Sequence, residues 1–148
     1  MNTPPSVSVI IPAYNAAQTI KQCVQSVLTQ SFNDFEVVVV NDGSVDETPN
    51  ICNCLAQEDA RVKVIHQTNK GRTAAREVGL ENASAQWVCF IDADDTIPQN
   101  SLSDLYSMAS AQTDVVFGNG YTLNNEHRKT IPLSDFRHLA VRGEGTIG

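Results

Sequence analysis

Short apolar runs alternate along this chain with stretches in which apolar residues recur at helical spacing. Four short runs predict strands: 7–11, 35–40, 62–66 and 87–91. The first two are rich in β-branched residues and are typical of strands buried on both faces. Helical spacing predicts helices from 20 to about 30, from 44 to beyond 55, over 73–80 and around 102–109. The alternation predicts an α/β fold, with a mainly parallel sheet flanked by helices.

Regularity decreases toward the carboxyl terminus. A fifth strand is predicted at 114–118, and 124–127 is predicted to be the turn of a hairpin between Gly118 and Ile131. The last residues, 142–148, show no periodicity. We therefore expect one domain over 1–148 with its core at about 6–118, and an irregular or hairpin segment over 119–148 that reads as a truncated second half.

Ser44 and Glu47 have capping-box spacing, which predicts the start of the second helix.

Composition and charge narrow the class of protein. The 148 residues are 41% apolar and 18% charged, as in ordinary globular domains. The net charge of −7 argues against a nucleic-acid binder and against a basic membrane-binding surface. No run is long enough to span a membrane and no signal peptide is recognisable, so a cytoplasmic location is expected. The four cysteines lack disulfide or zinc spacing and are predicted to be small buried residues.

Polar segments follow all four predicted strands, at 12–15, 41–44, 67–71 and 92–95. Ligands of parallel α/β sheets gather beyond the carboxyl ends of the strands, so these segments are the candidate site. The last of them, Asp92-Ala93-Asp94-Asp95, places three mutually repelling carboxylates within four residues. Mg²⁺ or Mn²⁺ would neutralise them. The alternative is a solvated acidic turn before a helix cap at Asn100 or Ser101.

Three other α/β sites can be weighed against the sequence. Segment 12–15 reads PAYN and lacks the glycines of a dinucleotide-binding fold, and no P-loop motif is present. The run FIDADDTI matches the first motif of haloacid-dehalogenase-type phosphatases, with Asp92 as nucleophile and Asp94 as acid/base. That motif normally opens its fold, whereas here it follows the fourth strand and too few residues remain for the later motifs.

Four motifs in order resemble a different family. They are VIIPAYN at 9–15, VVNDGSVD at 39–46, NKG at 69–71 with Ala75, Arg76 and Gly79, and DADD at 92–95. Together they resemble the successive motifs of family 2 glycosyltransferases with the GT-A fold. The resemblance runs from about Ser6 to Gly118.

The resemblance implies a site for a nucleotide-diphosphate sugar, most often a UDP-sugar, together with Mg²⁺ or Mn²⁺. It implies that Asp94 and Asp95 hold the metal and that the following residues bind the donor: Pro12, Ala13, Tyr14, Asn15, Asp42, Gly43, Ser44, Asn69, Gly71, Arg76, Asp92 and Ala93. Asp42 would accept a hydrogen bond from the base, and Asp92 would contact the ribose or the metal. For Asn41 and Gly43, an ordinary turn is the competing interpretation.

Positive charge near this acidic site could contact the phosphates. The candidates are Lys70, Arg72 and Arg76, of which Arg76 matches the arginine of the family. The family usually has Asn after that arginine, whereas this chain has Glu77.

The family also implies inverting sugar transfer to a saccharide or lipid-linked acceptor, as in polysaccharide biosynthesis, with peripheral attachment to the inner face of the membrane as an option for a longer form. An Asp in the second half of the family domain acts as general base. Asp135 is the nearest candidate here, but it lacks the usual acidic neighbour and is not assigned, so the catalytic base stays unknown. Two hypotheses remain: the amino-terminal part of a glycosyltransferase, or a non-catalytic module that binds a nucleotide sugar.

Overall fold

The computed structural model describes residues 3–112 together with the backbone of 115–117, 120–123, 128–131 and 139–142. Strands and helices alternate through the first part of the chain: β1 Val7–Ala13, α1 Ile20–Leu28, β2 Phe35–Asp42, α2 Thr48–Glu58, β3 Val62–Gln67, α3 Arg72–Asn82, β4 Trp87–Phe90 and α4 Ser101–Ser107. Four strands follow: β5 Val115–Phe117, β6 Gly120–Leu123, β7 Arg128–Ile131 and β8 Leu139–Arg142. The predicted strands and helices are confirmed, with ends that differ by a few residues.

The main sheet of the described residues has the strand order β3-β2-β1-β4-β8-β5. The first four strands are parallel, and β8 lies antiparallel between β4 and β5. The mainly parallel α/β prediction is therefore confirmed. The hairpin prediction is also confirmed, because β6 and β7 form an antiparallel pair, while its turn at 124–127 lies outside the described residues. Strand β8 was not predicted, since LAVR is short and carries no distinctive pattern.

Helices cover both faces of the parallel strands. Every residue of β1 and β2 is buried, which explains why their sequences are largely apolar. On one face, α1, α2 and α4 contribute Ile20, Val24, Leu55 and Leu102 to the larger core. On the other face, α3 packs on the residues Ile10, Val38, Val40 and Val88 through Ala75. Gly79 lets α3 approach closely, because a Cβ at that position would overlap the side chain of Ile10.

The predicted capping box was wrong, since α2 begins at Thr48 rather than near Ser44. The hydroxyl of Ser44 instead accepts a hydrogen bond from the backbone N–H of Asn15, 3.0 Å away. The Glu47 carboxylate accepts from Asn50 Nδ2 at 2.9 Å. Pro49 lies in the first turn, where its missing N–H costs no intrahelical bond.

The cysteine prediction was right for three residues and wrong for one. Cys23, Cys52 and Cys89 are buried, and burial raises the pKa of Cys52 to about 11 and that of Cys89 to about 12. Cys54 is exposed, because Cys52 and Leu55 take the inward positions of α2. In the described part of the chain, none of the helices combines the length and apolar character needed to cross a bilayer.

Candidate functional site

The acidic run begins at Asp92, two residues after the end of β4, at the carboxyl edge of the parallel sheet. The backbone N–H of Asp95 donates to the carbonyl of Asp92 at 2.9 Å, which closes a turn. One carboxylate oxygen from each of Asp92, Asp94 and Asp95 lies within 4.8 Å of the other two. Asp92 is almost buried, Asp95 is half-buried and Asp94 is exposed. The structure therefore brings together the three carboxylates that the sequence singled out.

Helix α3 supplies the positive charge that faces this cluster. Arg76 Nη2 donates to Asp92 Oδ1 at 2.8 Å, and Arg72 Nη1 lies 3.9 Å from Asp92 Oδ2. The Arg76 guanidinium also lies 5.9 Å from the ring centroid of Phe90, within the range of a cation–π contact. Two guanidinium groups thus approach the same carboxylate. Asp94 is left as the most accessible oxygen donor of the cluster.

A buried thiol lies beneath the acidic run, which sequence reasoning had placed only in the core. Cys23 Sγ, on α1, lies 3.5 Å from the carbonyl oxygen of Asp92. Burial, together with the negative charges of Asp95, Asp94 and Asp92, raises the pKa of Cys23 to about 12. The thiol therefore stays protonated and donates to the backbone of the run.

Asp42, at the end of β2, is the second buried carboxylate of this edge and is only 3% exposed. Its Oδ1 accepts from Gln67 Nε2 and from the backbone N–H of Lys70, both at 2.8 Å. Its Oδ2 accepts from the backbone N–H of Gly71 at 2.9 Å. Gly71 has φ 91° and immediately precedes α3, so Asp42 holds the segment from which that helix starts.

The sequence analysis placed Gln67 in a candidate segment, 67–71, but gave it no role of its own. The missed signal is its place in the sheet, because Gln67 is the register partner of Asp42 on the neighbouring parallel strand. Residues paired in this way project from the same face of the sheet, so a polar residue at the end of β3 is brought beside Asp42.

The turn after β2 also has internal hydrogen bonds that would stabilise it without a ligand. The Asn41 side chain accepts from the backbone N–H of Ser44 at 3.1 Å, and its Nδ2 lies 3.0 Å from His66 Nδ1. Gly43 has φ 72°, and a Cβ there would collide with the backbone of Asn69. Gly43 is thus required by both the turn and its contact with the β3–α3 loop.

Four hydrogen bonds tie the loop after β1 to the loop after β2. Asn15, with φ 48°, donates its N–H to Ser44 Oγ at 3.0 Å and accepts from the N–H of Val45 at 2.9 Å. The N–H of Ala16 donates to Thr48 Oγ1 at 2.8 Å, and that of Ala17 to Asp46 Oδ2 at 3.1 Å. Asn15 and Ser44, both predicted to bind substrate, contact each other in the structure.

The other candidate residues lie along the same edge. Pro12 and Ala13 are buried at the end of β1, beside the end of β2. Tyr14 follows them and is 51% exposed, and Ala93 is buried within the acidic run. Helix α3 joins the two carboxylate sites, because Asp42 holds its start and Arg76 reaches Asp92 from its second turn. Asp135 lies outside the described residues.

The fold and the site define a GT-A-type α/β domain with an acidic cluster at the carboxyl edge of its parallel strands. The model of glycosyl transferase family 2 matches residues 8–145, and the chain belongs to that family. The match extends well beyond Gly118, where the resemblance seen in the sequence ended. Because the chain belongs to this family, the alternative of a haloacid-dehalogenase-type phosphatase is excluded.

Individual relatives agree with the family match. The chain is 40% identical to glycosyltransferase GlyA of Streptococcus pneumoniae over 119 residues, which cover 80% of this chain and 17% of GlyA. It is 36% identical, with a TM-score of 0.65, to TarS 1–349 of S. aureus in complex with UDP-GlcNAc, covering 69% of this chain and 30% of that one. The mannosyltransferase PcManGT of Pyrobaculum calidifontis, in complex with GDP-Man and Mn²⁺, is 27% identical to this chain, with a TM-score of 0.70. The match covers 76% of this chain and 35% of PcManGT. The chain therefore spans about a third or less of each of these proteins.

Proposed function

We propose that this chain supplies the donor-binding part of an enzyme that transfers a sugar from a nucleotide-diphosphate sugar to an acceptor hydroxyl. The observation that carries the proposal is the carboxyl-edge cluster of Asp92, Asp94 and Asp95, in which three carboxylates converge and Arg76 is ion-paired with Asp92. Family membership supports the reaction class. The TarS and PcManGT complexes support a nucleotide-sugar donor, because each of those proteins holds one.

The donor atoms of the cluster fit a hard divalent cation. Carboxylate oxygens are the ligands that Mg²⁺ and Mn²⁺ prefer, and oxygens of three carboxylates lie within 4.8 Å of one another. Because Asp92 is engaged by Arg76, Asp94 and Asp95 are the residues that we propose as metal ligands. When bound, the ion supplies Lewis-acid stabilisation of the charge on the diphosphate.

The remaining roles belong to residues of the chain itself. Arg76 holds Asp92 in place, and we propose that Asp92 contacts the ribose, while Pro12, Ala13 and Tyr14 line the nucleotide pocket. Asp42 is proposed to accept a hydrogen bond from the base, and Lys70 and Arg72 add positive charge near the phosphates. Asn15, Gly43, Ser44, Asn69, Gly71 and Ala93 complete the proposed binding segments through the loop contacts described above.

The finer assignments follow the family resemblance. We propose a UDP-sugar as donor, inverting transfer, and a saccharide or lipid-linked acceptor in polysaccharide biosynthesis in the cytoplasm. The general base is not assigned. A non-catalytic nucleotide-sugar-binding module is the second candidate, because the proposed donor site could bind a nucleotide sugar without transferring it.

Isothermal titration of UDP, with and without Mn²⁺, tests the donor site. We expect binding that requires the metal and that is weakened by about 100-fold in Asp94→Ala, the scale at which changes around metal ligands reduce affinity. Asp104→Ala, which removes an exposed carboxylate from α4, is the matched control and should bind as wild type does. Binding without metal, or no binding, would contradict the proposal. Transfer or hydrolysis assays with UDP-sugars then separate enzyme from module.

A further inference from the structure

We propose that Gln67 sets the base preference of the site by leaving Asp42 a single hydrogen-bond acceptor position for the nucleobase. The preferred base is then one that presents a lone imide N–H, such as uracil, and guanine is disfavoured. The inference rests on the proposed function, since it requires a nucleotide at this edge.

Most acceptor positions of the Asp42 carboxylate are already occupied. An ionised carboxylate offers about four lone-pair sites. On Asp42, Oδ1 already accepts two hydrogen bonds, from Gln67 Nε2 and the N–H of Lys70, and Oδ2 accepts one from the N–H of Gly71. One site remains, on Oδ2. The exposure of Asp42 is 3%, which also limits a ligand to a narrow contact.

Uracil and guanine differ in the number of hydrogen-bond donors on the edge that would face Asp42. Uracil presents one N–H between two carbonyl oxygens, so it needs one acceptor, and a second available carboxylate oxygen would repel a flanking carbonyl. Guanine presents two adjacent donors, N1–H and the N2 amino group, and needs two acceptors. A donor left unpaired in a desolvated site loses affinity, so a single acceptor discriminates against guanine.

Gln67 is the residue whose side chain determines how many acceptor positions Asp42 keeps for a base. Two of the donors to Asp42 are backbone amides, which every side-chain substitution except proline leaves in place. Gln67 is the side-chain donor to Asp42 among the described residues, and strand register places it directly beside Asp42. Base choice is a real variable on this fold, because one related structure holds UDP-GlcNAc and another holds GDP-Man.

The test measures affinities for four diphosphates at fixed Mn²⁺ by isothermal titration. UDP is compared with 3-methyl-UDP, which lacks the imide N–H. GDP is compared with IDP, a purine of the same ring size that presents N1–H without the amino group. In the wild-type chain we expect UDP to bind about tenfold more tightly than 3-methyl-UDP, and IDP about tenfold more tightly than GDP, the scale of one hydrogen bond to a charged group.

Gln67→Met removes the donor and approximately keeps the side-chain volume. It should reduce the IDP-to-GDP affinity ratio by about tenfold, because Oδ1 regains an acceptor position. Gln57→Met, at an exposed position on α2, is the matched control and should keep the wild-type ratio. Addition of 5-methyl-UDP distinguishes the two imide bases: affinity equal to that of UDP extends the preference to thymine, and weaker binding restricts it to uracil.

The possible failures are distinct. Equal wild-type affinities for IDP and GDP, or an unchanged ratio in Gln67→Met, would overturn the role of Gln67 while nucleotide binding stands. Absence of binding by all the diphosphates would instead remove the proposed function. If Gln67→Met does not fold, Gln67→Leu replaces it, and the 3-methyl-UDP and IDP comparisons need no variant.

Discussion

Buried carboxylates lie at both ends of the parallel strands, and their surroundings differ. At the amino ends, Glu36 on β2 is 5% exposed and forms what we term the amino-end network with Ser8, Lys63 and Ser84. Its Oε1 accepts from Ser8 Oγ at 2.6 Å and from the N–H and hydroxyl of Ser84 at 2.6 and 2.8 Å. Its Oε2 accepts from Lys63 Nζ at 2.6 Å. One carboxylate thus receives four hydrogen bonds.

At the carboxyl ends, three carboxylates converge beside two arginine side chains. Asp92, Asp94 and Asp95 form the carboxyl-edge cluster, and the nearby cations are Arg76 and Arg72. The Arg72 side chain is 68% exposed and lies 3.9 Å from Asp92, so water screens its contribution. The cluster therefore keeps an excess of negative charge.

The difference separates a structural role from a binding role. A buried carboxylate that is fully hydrogen-bonded stabilises the fold and has no capacity for a ligand. A partly exposed cluster with excess charge stores mutual repulsion, which a bound cation would relieve. We therefore expect removal of Glu36 to lower the free energy of unfolding, and removal of the exposed Asp94 carboxylate from the cluster to leave it unchanged or raise it.

The largest expected effect is that of Glu36→Ala. The substitution leaves the Lys63 ammonium, the Ser84 N–H and the Ser8 hydroxyl without their acceptor, and should lower the free energy of unfolding by about 3 kcal/mol. Urea denaturation measures the change. Glu58→Ala, at an exposed position on α2, is the control and should stay within about 0.5 kcal/mol of wild type. A loss below 1 kcal/mol for Glu36→Ala would show that the network contributes little.

The amino-end network should also make stability depend on pH. Burial alone would raise the pKa of Glu36, but hydrogen bonds from Lys63, Ser8 and Ser84 lower it from 4.5 to about 2. Because the folded-state pKa is below the unfolded-state value, the stabilisation is complete above about pH 4.5 and is lost as pH falls toward 2.

Urea denaturation of wild type and Glu36→Gln between pH 2 and pH 7 measures this dependence. The difference in free energy of unfolding between the two proteins should be constant above about pH 5 and shrink below pH 4.5. A difference that does not change with pH would assign the effect of Glu36 to packing rather than to charge.

The sequence predicted the features of these two regions that depend on local patterns, and not those that depend on packing between distant segments. Buried strands and amphipathic helices are local patterns, so the parallel sheet and its helices were predicted correctly. The acidic run is also local, and the parallel topology implied that strand ends share one edge. The amino-end network was not predicted, because Glu36 and Ser84 meet only through the packing of β1, β2 and the α3–β4 loop.

Within the candidate site, too, the sequence did not predict contacts that depend on the packing of distant segments. Asp42 was identified from its motif, but its partners Gln67, Lys70 and Gly71 depend on strand register and on the path of the following loop. Ser44 was predicted to cap a helix, yet its hydroxyl bonds to Asn15 across two loops. Local spacing cannot distinguish these outcomes, since both place a hydroxyl near backbone N–H groups.

An intermediate effect is expected at the contact between the first two loops of the carboxyl ends. Asn15→Ala removes the acceptor for the N–H of Val45 and places alanine at φ 48°, which Asn tolerates better. We expect a loss of about 1 kcal/mol in the free energy of unfolding. Asn15→Gly removes the same acceptor while permitting that φ, so it should lose less if backbone strain contributes. Equal losses would assign the effect to the hydrogen bond alone.

The smallest expected effect is that of Asp94→Asn, and its sign distinguishes the two ends. The substitution removes one of three converging charges from an exposed position, so without metal the free energy of unfolding should be unchanged or rise by up to about 0.5 kcal/mol. Thermal denaturation with Mn²⁺ adds a second measurement, because a ligand that binds only the folded state raises the melting temperature. Wild type should be stabilised by Mn²⁺ and Asp94→Asn should respond much less. A loss above 1 kcal/mol without metal would contradict the contrast, because Asp94 would then stabilise the fold as Glu36 does.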